Sequence, residues 1–226
     1  TIGGGGVVDT RGGSLISDAV QQAITIEDAS RVMLGNVAAA AGVFRIGSAG
    51  DVTGLVDQQL GTSVRVDRFT ASTADRIDLS GDNQIRAIET IDAGEIVVND
   101  IENDLSVDAV ISRGDVTLST TGTLQLFDRA VVATGDTVLS GDESIIDLNP
   151  SSTPENVRAT NASLIAGDGG IGSLANPVDV VATGSLNANT RDADADIHVS
   201  NEPGGLLIGF IDAGEGSVHC LLYTSD

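Results

Sequence analysis

Lysine and tryptophan are absent from this sequence, cysteine occurs once, and aromatic residues are rare. Aromatic side chains account for 2% of the 226 residues, and all 11 basic side chains are arginine. A core without aromatics must be built from Val, Ile, Leu and Ala, which suits a narrow interior of flat layers better than a conventional globular core. The single cysteine, Cys220, excludes an internal disulfide bond.

Positive charge is the second shortage. The chain has 33 acidic residues against 11 arginines, a formal net charge of −22. Phosphate groups and anionic lipids are contacted by clustered Lys and Arg, so the charge argues against nucleic acid and anionic membrane surfaces as partners. An acidic, solvated surface keeps an edge-rich β protein from associating. Cation binding and life in high salt are the alternative explanations of the charge.

Long hydrophobic runs are also missing. No stretch of about 18 apolar residues occurs, so no segment is predicted to span a membrane as a helix. The chain starts at Thr1 without a signal peptide, and both ends interrupt the sequence pattern, so we expect a fragment of a longer protein. Hydrophobic residues still make up 41% of the chain, which is enough for a core and argues against disorder.

The sequence does contain a repeat. A glycine, an acidic residue and a short β-prone run occur at Gly94 (GEIVV), Gly114 (GDVTL) and Gly135 (GDTVL), with spacings of 20 and 21 residues (114 − 94 and 135 − 114). A repeat of this length, with strands and turns but no helical periodicity, predicts a solenoid whose turns stack on one another. We predict an all-β parallel β-helix (β-solenoid) of about ten or eleven rungs of roughly 20 residues, each adding ~4.8 Å of height.

Alternation within the repeat predicts which side chains point into the coil, because a period of two with one apolar face is typical of a half-buried strand. Polar partners such as Glu95, Asp115, Thr117 and Gln125 are predicted to face water. Stacking predicts that residues 95–98 pair in parallel with 115–118, and those with 136–139. The predicted inward residues are Ile96, Val98, Val116, Leu118, Leu124, Leu126, Ile197 and Val199.

Residues 14–46 allow two interpretations. A helix capped by Ser17 or Asp18 is one, since the ends of a solenoid must be covered. Short strands (AITIE, RVML and GVFRI) are the other, and the β-branched residues and glycines favour them.

Residues 149–158 (NPSSTPENVR) are predicted to form an inserted loop, because they contain Pro150 and Pro154 between two β-prone runs. We therefore predict one solenoid segment over residues 1–219 that carries this loop. The final residues 220–226 (CLLYTSD) break every trend and are predicted to be translated from beyond the true coding sequence.

One part of the chain resembles a known family. The runs GGIGSLANPVDV, GSLNA, ADIHVSN and GGLLIG, within residues 170–219, are similar to repeats of filamentous-haemagglutinin-like and autotransporter-like bacterial adhesins, and residues 94–142 share their style. The resemblance implies a right-handed parallel β-helix exported to the cell surface or beyond. It implies no catalytic residue, because repeats of this family are scaffolding. The insertion and the irregular N-terminal third depart from the family pattern.

One candidate metal site is present. Asp192, Asp194, Asp196 and His198 alternate, so on a strand they point to one face, and three carboxylates at that spacing suit Ca²⁺. An EF-hand is excluded, because Ile197 and Pro203 stand where glycine and glutamate are required. An exposed acidic strand face with Ile197 and Val199 buried is the preferred explanation, and it leaves His198 exposed.

Enzymatic signatures are missing. No G-x-S-x-G motif occurs, and a polysaccharide lyase, the sharpest enzyme alternative, generally needs basic groups that this chain offers only as scattered arginines. Sugar-binding platforms usually need exposed Trp or Tyr, and only Phe44, Phe69, Phe127 and Phe210 are available. In the insertion, Glu155 and Arg158 are expected to pair with each other.

We therefore predict no catalytic, cofactor or metal site. The predicted role is that of a shaft segment in a large adhesin-like protein, located outside the cell or on its surface, whose partners are adjoining repeats of the same chain. A lyase-like enzyme and a Ca²⁺-stabilised surface module are the alternatives.

Overall fold

The computed structural model describes residues 6–9, 14–16, 23–47, 51–101, 104–149, 155–190, 193–201 and 205–222. Every regular element in these ranges is a β-strand, and the strands pair in parallel. They form a β-solenoid of about 9 turns with ~21 residues per turn, and no helix occurs in the described ranges. The predicted fold class is confirmed, and the predicted number of rungs is close to that found.

The solenoid contains 24 described strands, which we number in chain order. Their bounds are β1 Gly6–Asp9, β2 Ser14–Ile16, β3 Ala23–Ile26, β4 Ala29–Leu34, β5 Asn36–Ile46, β6 Val56–Gln58, β7 Val64–Ser72, β8 Arg76–Ala93, β9 Glu95–Asp100, β10 Leu105–Val107, β11 Val110–Ser112, β12 Val116–Thr120, β13 Thr123–Leu126, β14 Val131–Ala133, β15 Thr137–Gly141, β16 Ser144–Asp147, β17 Val157–Ala159, β18 Ala162–Ala166, β19 Gly170–Ile171, β20 Val178–Ala182, β21 Ser185–Asn189, β22 Ile197–Asn201, β23 Leu207–Asp212 and β24 Val218–Leu222.

Three stacked walls enclose the interior from β9 onwards. The first wall contains β9, β12, β15, β18, β21 and β23. The second contains β10, β13, β16 and β19, and the third contains β11, β14, β17 and β20. Strand β22 pairs with both β19 and β20, and β24 pairs with β22. At the other end, the long strand β8 borders all three walls.

The predicted register is confirmed. Ile96 pairs with Val116, and Val116 pairs with Thr137 on the next rung. All eight side chains predicted to point inwards are at most 1% exposed. The same register continues along the solenoid as one interior column, made of Val32, Val56, Ile77, Ile96, Val116, Thr137, Ala162, Leu186 and Ile208.

The recurring Gly-acid pair has a structural cause at the turn that opens each rung. A Cβ added to Gly114 would lie 2.6 Å from the carbonyl oxygen of Gly94, and one added to Gly135 would lie 2.2 Å from Oδ1 of Asp115. The same Oδ1 accepts a hydrogen bond from the N–H of Asp136 at 2.8 Å. The glycine is therefore needed for close approach, and the acid caps the backbone of the next rung.

A polar ladder fills one interior corner beside the first wall. Asn83 is fully buried, donates to the carbonyl oxygen of Leu79 at 2.8 Å, and accepts from Gln58 Nε2 at 2.8 Å. One rung further, Asp100 is 1% exposed, and its Oδ2 accepts from the Thr120 hydroxyl at 3.1 Å. Corner backbone groups cannot all pair along the walls, so these side chains supply the missing partners.

The strand interpretation of residues 14–46 is confirmed for the residues described there. Strands β2, β3, β4 and β5 occupy them, and the proposed helix caps Ser17 and Asp18 lie outside the described ranges. Strand β3 pairs with β5 in parallel, and Phe44 in β5 packs against Phe69 in β7 with ring centroids 5.8 Å apart and ring planes tilted by 44°. Two of the four phenylalanines thus form one layer of the core.

Two neighbouring rungs are longer than the repeat. The step from Thr137 to Ala162 contains the predicted insertion, of which residues 150–154 lie outside the described ranges, and strand β17 begins at Val157. The next step, from Ala162 to Leu186, contains a second loop over residues 172–177 that the sequence analysis did not identify. This second loop leaves the second wall after β19 and enters the third wall at β20.

Candidate functional site

The acidic row proposed as a metal site lies just before β22. Asp194 and Asp196 are exposed, while Ala195 between them is 7% exposed. Asp192 lies outside the described ranges. The expected alternation is therefore present at the two described carboxylates.

Each of these two carboxylates caps the following rung. Oδ1 of Asp194 accepts the N–H of Glu215 at 2.8 Å, and Oδ1 of Asp196 accepts the N–H of Ser217 at 2.7 Å. The hydrogen bond from Ser217, with a smaller contribution from His198, lowers the pKa of Asp196. Like Asp115, they accept backbone N–H groups of the following rung, so backbone capping explains the two described carboxylates. Among the described residues, no group of three or more His, Cys, Asp or Glu side chains is placed to hold a metal ion.

His198 differs from the expectation that it is exposed. It is 7% exposed, its ring stacks on that of His219 with centroids 4.8 Å apart and planes at 8°, and its Nε2 lies 3.7 Å from Oδ2 of Asp196. A small cavity of about 80 Å³ lies beside the pair, lined partly by Leu174 and Pro177 of the second loop. The loop and β24 cover a side chain that alternation alone places in solvent, and Nδ1 of His198 is buried without a hydrogen-bond partner.

A buried polar cluster lies where the predicted insertion begins and ends. Asp147 is 8% exposed, and its Oδ1 accepts from the Asn149 N–H at 2.8 Å and from Asn156 Nδ2 at 2.9 Å. Burial raises the pKa of Asp147, and the nearby Asp128 adds to the rise. The cluster anchors the two ends of the insertion to the body of the solenoid.

Glu155 and Arg158 pair as expected. The Arg158 Nε donates to Oε1 of Glu155 at 2.5 Å. The Glu155 side chain is 3% exposed, whereas that of Arg158 is 46% exposed, so the pair is half-buried. The Arg158 guanidinium group is therefore engaged in an ion pair at the end of the predicted insertion.

The first wall carries a groove near its C-terminal end. The groove has a volume of about 670 Å³ and is lined by outward residues of β18, β21 and β23, namely Ser163, Ile165, Asn187, Asn189 and Phe210. Phe210 is 53% exposed. Alternation gives no reason to place Phe210 on the surface, so the sequence identified it only as one of four phenylalanines.

No protein-family model, curated protein or solved structure matches the chain. Among the described residues, no helix has the length and hydropathy needed to cross a bilayer.

Proposed function

We propose that the chain is a shaft segment of a large, exported, adhesin-like surface protein and carries out no reaction of its own. The first eight residues of the interior column are at most 1% exposed, and the ninth, Ile208, is 37% exposed. This change of exposure at the last rung is the observation that carries the proposal.

The second wall shows the same change. Ile171 and Ile197 are fully buried, whereas Val218, which pairs with Ile197, is 46% exposed. These last side chains have the spacing and direction of interior residues. One more rung of the same kind would cover them and pair with the edges of β23 and β24. We propose that the covering partner is an adjoining repeat of the same longer chain.

The surface chemistry supports an extended element outside the cell. A net charge of −22 keeps a structure with long strand edges from associating laterally. The interior is one continuous apolar cluster, from Ile26 to Ala213, so stacking supplies the stability that disulfides supply in smaller secreted domains. The resemblance of residues 170–219 to adhesin repeats supports the same role.

Hydrogen exchange tests the shaft. Amide exchange is measured in the 226-residue chain and in the full-length gene product. The amides of β23 and β24 are expected to exchange quickly in the short chain and to be protected in the long one, while those of β12 and β15 serve as the unchanged control. Equal exchange of β23 and β24 in both proteins would show that no rung covers this end.

Surface labelling tests the location. Antibodies raised against the segment are applied to intact and permeabilised cells of the encoding organism. Labelling of intact cells is the expected result. Labelling only after permeabilisation would overturn the proposed export of the protein but would not bear on its proposed role as a shaft segment.

An activity assay tests the enzyme alternative. The purified chain is incubated with pectate and alginate, with and without Ca²⁺, and we expect no turnover. Turnover that disappears in an Arg158→Ala protein would replace the structural role with a lyase.

A further inference from the structure

The first wall is uncharged along most of its length. Strands β12, β15, β18 and β21 (VTLST, TVLSG, ASLIA and SLNAN) contain no Asp, Glu or Arg. The chain as a whole has a net charge of −22, so this composition is unusual for its surface. The acids next to this wall lie at the turns and already have partners there: Asp115 accepts the backbone N–H of Asp136, and Asp136 accepts the side-chain amide of Asn161.

The outward side chains of this wall stand in two parallel columns. Because stacked strands lie about 4.8 Å apart, five rungs give a track of roughly 19 Å along the solenoid axis. We call these two columns the neutral track. Its first column is Thr117, Val138, Ser163, Asn187 and Phe210, and its second is Ser119, Ser140, Ile165 and Asn189, of which Ser140 is 6% exposed. Asp212 follows Asn189 beyond the end of the second column and is not part of the track.

A β-bulge places Phe210 on the track. Leu186 pairs with Ile208, but Asn187 pairs with Phe210, so Gly209 is the extra residue. Without the bulge, alternation would turn Phe210 into the coil and Ile211 out of it. Bulges re-aim side chains in this way. A Cβ at Gly209 would lie 2.5 Å from Oδ1 of Asn187, so a larger residue there would displace that amide.

Phe210 faces outwards on β23, the last described strand of the first wall. Phe44 and Phe69 are fully buried, as is usual for the few aromatic residues of an aromatic-poor chain, whereas Phe210 is 53% exposed. Beside it lie the Asn187 amide, the Ser163 hydroxyl and the aliphatic surface of Ile165. An aromatic face next to amide and hydroxyl groups is the composition of a site for a ligand that is apolar on one face and hydroxylated at its edge.

We propose that the neutral track binds a neutral glycan chain, with Phe210 stacking on a sugar ring and Asn187 and Ser163 hydrogen-bonding to hydroxyl groups. The groove of about 670 Å³ lies within the roughly 300–1,000 Å³ typical of ligand sites. The track offers repeated polar groups along the solenoid axis, which suits a polymer lying along it.

Charge selects against other ligands. An anionic glycan has no cation to pair with on these strands, and the field of the acidic chain repels it. A basic peptide would find its counter-charges at the turns and at Asp212 rather than in the groove. The binding inferred here is independent of the shaft role and would survive its failure.

Titration with defined oligosaccharides tests the proposal. Hexamers of β-1,4-glucose, β-1,3-glucose, α-1,4-glucose and β-1,4-xylose are titrated calorimetrically into the 226-residue chain, with hexagalacturonate as the anionic comparison. We expect at least one neutral hexamer to bind and hexagalacturonate not to bind. Phe210→Ala and Asn187→Ala are each expected to weaken binding at least tenfold. Leu174→Ala, which removes a side chain 70% exposed on the loop away from the track, is the matched control and is expected to leave binding unchanged.

Far-ultraviolet circular dichroism of each variant confirms that the fold is retained. Binding that Phe210→Ala leaves unchanged would overturn the proposal, as would the absence of binding by every neutral hexamer at millimolar concentration. Sedimentation velocity tests whether the track is instead an interface between copies of the chain. If Phe210→Ala abolishes self-association of the chain instead of glycan binding, the track is an interface between copies and the proposal fails.

Discussion

Two buried threonines on neighbouring rungs are predicted to respond in opposite directions to the same substitution. Thr137 is 1% exposed in the interior column between Val116 and Ala162, and its hydroxyl has no hydrogen-bond partner. Thr120 is 2% exposed, and its hydroxyl donates to Oδ2 of Asp100 at 3.1 Å. Replacement by valine keeps the shape of each side chain and removes the hydroxyl.

The expected magnitudes follow from this difference. An unpaired buried hydroxyl costs about 1–3 kcal/mol, and valine puts a methyl group in its place, so Thr137→Val is expected to raise the free energy of unfolding by about 1–2 kcal/mol. At Thr120 the change removes at least two hydrogen bonds, the one donated to Asp100 and the one accepted from the N–H of Gly122 at 3.3 Å. We expect Thr120→Val to lower the free energy of unfolding by about 1–3 kcal/mol.

Urea unfolding followed by far-ultraviolet circular dichroism measures both effects, since a chain with no Trp and one Tyr has little intrinsic fluorescence. Denaturation midpoints are compared only between proteins that unfold with the same dependence on urea concentration (m-value). A changed m-value would indicate that distant rungs unfold separately, as they can in repeat proteins. A Thr137→Val protein no more stable than the parent, or one that loses as much as Thr120→Val, would refute the assignment of hydrogen bonds in the interior.

Three further predictions use the same assay. Gly135→Ala is expected to destabilise the protein by about 1–3 kcal/mol through overpacking. Gly94→Ala is the control, because its added Cβ comes no closer than 3.1 Å to a neighbour, and its stability is expected to stay within about 1 kcal/mol of the parent. Equal effects of the two substitutions would contradict the close-approach argument. Leu118→Ala, which removes a fully buried side chain, is expected to cost about 2–5 kcal/mol. Thr117→Ala on the same strand, which changes an outward, half-buried side chain, serves as its control. Asp147→Asn keeps an Oδ1 acceptor and removes the charge of a carboxyl group whose pKa burial raises above 3.8. It is therefore expected to stabilise the protein at pH 7 but not at pH 3, where the Asp147 carboxyl group is protonated in both the folded and the unfolded protein. A stabilisation that persists at pH 3 would count against a charge effect.

Much of the architecture was predictable because each rung repeats the same local requirements. The alternation in GEIVV and GDVTL identified Ile96, Val116 and Leu118 as inward positions, and equal spacing identified their stacking partners. Both inferences depend only on the period of two and on the length of one turn. The Gly-acid pair was noticed as a marker of the repeat, and its physical cause emerged from the stacked turns.

What the sequence did not predict depends on contacts between rungs. His198 is outward by alternation, and it becomes buried because residues 172–177 and His219 cover it. Phe210 is inward by alternation, and it becomes exposed because Gly209 forms a bulge against β21. Neither loop packing nor a shift of one residue in strand pairing leaves a signal in single-sequence periodicity.

The inward, turn and outward positions of a solenoid rung are under different structural constraints, and this difference indicates where a function can lie. Inward positions are fixed by stacking, and the acids at the turns are fixed by the backbone groups that they cap. Outward positions on the walls carry no such requirement, since their side chains meet only their neighbours above and below and solvent. Stacking and capping therefore do not explain why a wall stays uncharged over four strands of a strongly acidic chain and then turns an aromatic ring outwards through a bulge. Contact with an uncharged ligand supplies the missing reason, which makes the neutral track the surface of this solenoid where function is to be tested first.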